Sequence, residues 1–213
     1  NTELGAGLAV AQRDLEIRGA GNLLGGAQSG HVEGVGFDLY VRMVSDAVAA
    51  YRGDAPTEKA DVRMDLQVDA HIPEGYVRGE RLRLEVYAKI AATTTPEQEK
   101  DVREELVDRY GPIPPQVDLL FAVARLRETV RRVGITEIVT QGKYLRVSPV
   151  ELRDSQVMRL KRLHPGTVIK AAVRQVLVPL PLTSRVGGSP LTDGPLLEWV
   201  ETLVTKILVP FGE

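Results

Sequence analysis

The sequence predicts an α+β fold: a helix, a Gly-rich loop and a helix, then a mixed domain with a small, largely antiparallel sheet and flanking helices. Three observations predict it. Several segments repeat apolar residues at three- and four-residue steps, others alternate apolar with polar residues, and their order shows no regular βαβ repeat. Leu4, Leu8, Ala11 and Leu15 set out a first amphipathic helix ending near Arg18–Gly19. Phe37, Tyr40, Val41, Val44, Ala47, Val48 and Tyr51 make the stripe of a second, from Val35 to Tyr51, with Gly53 where a C-terminal cap belongs. The polar, turn-forming stretch Arg52 to Asp61 reads as a linker, which divides the chain into residues 1–53 and 54–213.

The second part opens with Val62, Met64, Leu66, Val68 and Ala70 alternating with polar residues, a strand with one buried face. A helix follows from about Arg78 to Ala92. Thr95 as N-cap, Pro96 at the first helical position and Gln98 three residues past the cap form a capping box for the next helix, which closes at Gly111-Pro112. Another helix runs from about Pro115 to Val133, with Leu119, Leu120, Val123, Leu126 and Val130 inward, and stops at Gly134. ITEIVTQGKYLRVS reads as two short strands around Gln141-Gly142. Asp154 is placed as the cap of a short helix to Leu163, and His164-Pro165-Gly166 turns the chain. Two short apolar strands lie within Thr167 to Leu180. SRVGGSPLTDG is a loop, and Asp193 with Pro195 starts a last helix ending near Leu208.

Composition bounds the function. At 213 residues, 43% hydrophobic and 26% charged, the chain can bury one large core or two smaller ones. It contains no cysteine, so it has neither a disulfide framework nor a thiolate metal site, in keeping with a reducing, cytoplasmic location. No apolar run approaches the roughly 18 residues that span a bilayer. A net charge of −2 argues against a high-affinity duplex-binding domain. The opening NTELGAG lacks an initiator methionine and reads as the start of a fragment of something longer.

The most informative stretch is RDLEIRGAGNLLGGAQSG, Arg13 to Gly30. Its glycines contribute little core and lose much backbone entropy on ordering, so it is held from outside or works by moving. It is a poor dinucleotide loop, because the spacing is G-x-G-x-x-x-G and a helix precedes it where the fingerprint demands a strand. No G-x-x-x-x-G-K-[ST] occurs, and Gly142-Lys143 is followed by Tyr144 in a hairpin, so the chain has no phosphate-cradling loop of its own. His31 and Glu33 are two ligands without a third, so no metal site is predicted. Ser29 lacks a nucleophile elbow. His71 and His164 adjoin prolines in turns and read as structural. Arg18 sits where a helix gives way to the glycine loop; it is either a C-terminal cation favoured by the helix dipole or a guanidinium fork that clamps an anion across a mobile joint. The basic run Arg125, Arg127, Arg131 and Arg132, mixed with Glu128, reads as the wet face of a helix, and Trp199 as core.

Together with VGFDLY, Val35 to Tyr40, this stretch resembles the TRG (translocation) motif shared by RecG helicases and the bacterial transcription-repair coupling factors (Mfd). LEIRGAGxLLG, then QSG, then GFxLY is similar to the coupling-factor version. LRLEVYAKIA, ELVDRYGPIP and ARLR further on resemble that family's C-terminal regulatory domain. The resemblance is specific through about Tyr40 and near Leu82–Gly134, and loose after Leu180. It implies a parent DNA translocase, driven by two RecA-like lobes with ATP and magnesium. That parent removes stalled RNA polymerase from DNA and recruits the excision-repair protein UvrA. It places Arg18, Gly19, Gly21, Gly25, Gln28 and Gly30 in the translocation motif, with Arg18 and Gln28 at positions tied to coupling nucleotide state to movement. It also implies that the C-terminal domain docks on an N-terminal UvrB-like domain of the same parent, masks the UvrA-binding surface and restrains the motor. The motif's first helix would precede Asn1, so the element here is partial. No catalytic residue, metal or cofactor is expected in this fragment itself. The rival reading is a RecG-type fork-remodelling helicase fragment, against which the long C-terminal α+β part argues.

Overall fold

The computed structural model describes residues 62–209. The two helices and the Gly-rich loop expected before Tyr51 lie outside these residues, as does the linker up to Asp61. The described chain groups into two units, one of residues 69–125 and one of residues 62–68 with 126–209.

The first unit is helical. Helix α1 (Glu80–Ala91) and helix α2 (Pro96–Tyr110) precede helix α3 (Pro115–Arg132), whose last turns belong to the second unit. Leu84, Val86, Tyr87 and Ile90 of α1, Leu106 of α2 and Val117, Leu120 and Phe121 of α3 are all buried. The helix starts follow the sequence closely. Thr95 accepts at its Oγ1 from the Gln98 backbone N–H at 3.2 Å, with Pro96 at the first helical position, where its missing N–H costs nothing. The return arm of the expected capping box goes one residue further back: Gln98 Oε1 accepts from the Thr94 backbone N–H (2.9 Å) and not from Thr95. Gly111 ends α2 at φ +88°, a conformation that would strain any side chain. Ile72 N–H donates to the Tyr87 hydroxyl at 2.8 Å, which satisfies a buried amide that no strand or helix pairs.

The second unit is built on a five-stranded sheet of order β1-β2-β3-β5-β4. Its strands are β1 (Arg63–Asp65), β2 (Glu137–Gln141), β3 (Tyr144–Ser148), β4 (Val168–Lys170) and β5 (Gln175–Pro179). β1 runs parallel to β2, and the other pairs are antiparallel. The cross-strand rows Ile138–Val147–Val176 and Leu145–Val178 form its buried side. On the other side Arg146 bridges Glu137 (2.5 Å) and Gln141 (3.1 Å) along the sheet. Helix α4 (Asp154–Leu163) and helix α5 (Asp193–Leu203) complete the unit, and α5 continues into a π-helical turn, Val204–Leu208.

Three further sequence expectations in this part of the fold need correction. The strand predicted to run to Ala70 stops at Asp65, because the Val68 N–H turns back to the Leu66 carbonyl (2.9 Å) and the Gln67 carbonyl accepts from the Asp193 N–H (3.1 Å). The N-cap of α4 is Arg153, not Asp154; the Gln156 side chain accepts from the Arg153 N–H (2.9 Å) and holds that end. Trp199 is half-buried and meets the His164 ring edge-to-face at 5.3 Å, at the residue that ends α4.

Burial lowers the pKa of His164, so the fold prefers its neutral form. In the unfolded chain an ordinary imidazole protonates below about pH 6.5. Stability from this group is therefore present above that pH and lost as pH falls through it. We expect the melting temperature to drop between pH 7.5 and 5.5, and to drop less in His164→Asn. Equal drops in both proteins would show that His164 does not carry this dependence.

Candidate functional site: an acidic helix face

Helix α2 is anchored on one side and open on the other. Its buried side carries Leu106, and Arg103 stacks its guanidinium 4.2 Å from the centroid of the Phe121 ring. Glu99 and Asp118 bind Arg103 at 2.9 and 2.5 Å, and Arg125 reaches Glu99 at 2.5 Å. Burial disfavours the charged Arg103, but its bonds to Asp118 and Glu99 outweigh this and raise its pKa. Lys89 of α1 holds Glu105, and with Arg109 it lowers the Glu105 pKa. The far end is tied by Tyr76, whose hydroxyl donates to the Gly111 carbonyl at 3.0 Å. The rod is thus fixed at both ends and along one side.

Its other side is a line of acids. Glu97, Asp101, Glu104 and Asp108 are all exposed and follow i, i+4, i+7, i+11 spacing, which places them within an arc of about 60° and along about 16 Å of helix. Lys100 lies 3.7 Å from Glu104, and both are solvent-exposed, so this contact contributes little. Beside the line sits Val107, 49% exposed. Like charges at this spacing repel by roughly 0.2–0.5 kcal/mol a pair, and Asp108 stands in the last turn, where the helix dipole disfavours an anion. Helix stability alone does not account for such a line. A cationic surface laid along it would relieve both penalties, and salt would weaken the contact because the groups are wet. The signal in the sequence is the i, i+4, i+7, i+11 spacing of acids within PEQEKDVREELVDRY.

The basic run on α3 is not the wet face expected of it. Arg125 and Arg132 are exposed, but Arg127 and Arg131 are half-buried. Glu128 takes Arg131 at 2.5 Å and lies 3.7 Å from Arg132. Burial, with the charge of Arg131 second, pushes the Arg127 pKa down to about 10. Paired and sheltered guanidinia of this kind are poor phosphate contacts. Among the described residues no three His, Cys, Asp or Glu are grouped to hold a metal ion, and no helix is long and apolar enough to cross a membrane. Arg18, Gly19, Gly21, Gly25, Gln28 and Gly30 lie outside the described residues.

Residues 66–160 match the TRCF domain family model. The chain is 47% identical to the transcription-repair-coupling factor of Mycobacterium tuberculosis (strain CDC 1551 / Oshkosh), over 97% of this chain and 18% of that protein. It is 40% identical to that of Bacillus subtilis (strain 168), over 67% of this chain and 12% of that protein. It therefore spans less than a fifth of the length of these relatives. Its fold is similar to a crystal structure of the C-terminal domain of transcription-repair coupling factor, with a TM-score of 0.50 at 17% identity, over 68% of this chain and 88% of that one. The relatives favour the coupling-factor reading over the RecG-type one. By sequence over nearly its whole length, the chain belongs to the transcription-repair-coupling factor family.

Proposed function

We propose that this chain is the C-terminal part of a cytoplasmic DNA translocase that couples removal of stalled transcription complexes to nucleotide excision repair. In this reading residues 54–213 are its autoinhibitory domain, docked on the parent's N-terminal UvrB-like domain and masking the UvrA-binding surface. The parent's two RecA-like lobes supply ATP and magnesium chemistry, RNA polymerase and duplex DNA are its working partners, and this part catalyses nothing. Residues 1–53 contribute the partial translocation motif, where Arg18 and Gln28 couple nucleotide state to movement.

The observation that supports the autoinhibitory reading most directly is the acidic face of α2. A clamp must hold and let go, so its surface should be polar, modest in size and rigid before docking. The stripe from Glu97 to Asp108, on a helix fixed at both ends, has those properties. Coupling between such a clamp and a second site is typically 1–3 kcal/mol, or about 5- to 150-fold.

The test uses two variants of the full-length parent. Deletion from Ala55 onward should raise UvrA affinity and basal ATPase within that range, without polymerase. Asp101→Lys with Glu104→Lys, at exposed positions that leave the fold intact, should give a smaller rise in the same direction. If neither variant differs from the intact protein, the regulatory reading fails. Activation by the deletion alone would move the docking face away from α2.

A further inference from the structure

Helix α1 begins without a side-chain cap. Its N-cap is Gly79, held at φ +92°, and the helix opens with a bond from the Arg83 N–H to the Gly79 carbonyl (3.1 Å). The N–H groups of Glu80, Arg81 and Leu82 therefore have no partner within the helix, and they point out of its positive end. A Cβ built on Gly79 would meet nothing within 4 Å, so the space beside this residue is open.

A buried cation lies at the same end. Arg83 is 5% exposed, the one charged residue so deeply buried among the described residues. Its side chain folds back to the start of its own helix, where Nη1 donates to the carbonyl of Val77 (3.1 Å), two residues before the cap. Helical side chains lean toward the N-terminus, so this direction is the ordinary one. Nε has no hydrogen-bond partner, and no carboxylate pairs with the guanidinium among the described residues. One neutral carbonyl does not offset a buried charge, which is costly without a counter-ion. The neighbouring charges do not supply one. Arg81 pairs with Glu85 (3.5 Å), while Arg78 and Glu80 are exposed and of opposite sign.

We propose that the N-terminal end of α1 binds a small phosphate, held by the N–H groups of Glu80, Arg81 and Leu82 and by the Arg83 guanidinium. Such an anion satisfies the orphan donors, complements the helix dipole and pairs the buried charge together. The helix donors point along the axis, whereas the guanidinium comes from the flank. Donors from two directions suit a tetrahedral phosphate better than a planar carboxylate. The depth of Arg83 shuts out the backbone of a nucleic-acid duplex, whose phosphates cannot leave the helix surface.

The probe is inorganic phosphate, titrated into the 213-residue chain at constant ionic strength and followed at the Arg83 Nε–H by heteronuclear NMR. We expect this resonance to move saturably, with a Kd of about 1 mM or tighter, and not to move with chloride or acetate. Phosphate at about ten times its Kd should raise the folding equilibrium of the helical unit about elevenfold, read by hydrogen exchange on α1. Arg83→Met should lose this protection, with circular dichroism checking that the variant folds. An Arg83 Nε–H resonance that stays still in phosphate would overturn the proposal, and that measurement needs no variant. Undiminished protection of the Arg83→Met chain would overturn it too. An equal response to acetate would overturn it in favour of a carboxylate. Displacement of phosphate by a DNA duplex without terminal phosphates would overturn it in favour of nucleic acid.

Discussion

Phe121→Ala is expected to destabilise the helical unit by about 3–5 kcal/mol, the usual loss for a fully buried aromatic truncated to a methyl group. Phe121 is 0% exposed. Its ring supports the Arg103 guanidinium, which in turn is tied to Glu99 and Asp118. Removing the ring therefore opens a cavity and also takes the floor from the ion network that joins α2 to α3. Phe121→Leu fills most of the volume, so its loss should stay near 1.5 kcal/mol or below. Amide hydrogen exchange on α2 and α3 reads this locally, which matters because a chain of two units need not melt as one. If exchange on these helices changes by less than a factor of ten in Phe121→Ala, the core does not depend on this ring.

Gln156→Leu should cost about 2–4 kcal/mol, because buried backbone groups left without partners cost roughly 1–3 kcal/mol each. Gln156 is a buried amide with every bond directed at the backbone. Its Nε2 donates to the Ile207 carbonyl (3.2 Å) and the Val209 carbonyl (2.8 Å), while Oε1 accepts from the Arg153 N–H (2.9 Å). A π-helical turn leaves carbonyls at its end without helical partners, and this one side chain answers two of them while capping α4. Gln156→Glu places a carboxylate against the same two carbonyls. That raises the Glu pKa in the fold, so the variant should gain stability as pH falls and the carboxyl becomes a donor. Urea unfolding of the three proteins at pH 7.5 and 5.0 checks both statements. A Gln156→Leu protein as stable as the parent would mean that water satisfies the π turn.

Much of this fold is local, and local features were legible. Thr95, Pro96 and Gly111 bound α2 because a cap, a preset φ and a positive φ each act within a few residues. The hairpin at Gly142 and the turn at His164-Pro165-Gly166 follow from the same short-range chemistry. Burial at α3 was half legible. Leu120, Val123, Leu126 and Val130 are buried as their spacing predicts, while Leu119 is half-buried and Val117 and Phe121 take the innermost places. The sheet side of a strand can also be inferred from alternation, as Val62, Met64 and Leu66 show.

The remaining features depend on residues far apart in the chain. Nothing within Val62 to Ala70 says that the strand ends at Asp65, because the Gln67 carbonyl finds its donor at Asp193, or that β1 lies parallel to β2. No local pattern marks Gln156 as buried; its partners, 51 and 53 positions away, hold it inside. Arg127 belonged by periodicity to a wet basic face; packing sheltered it and set it beside Arg131. Spacing along a helix specifies which side chains share a face, and it does so for the acids of α2 and for Met158 and Arg162 on α4. Which faces are covered is set by long-range packing, because burial and hydrogen bonding are properties of the assembled core and not of any one segment.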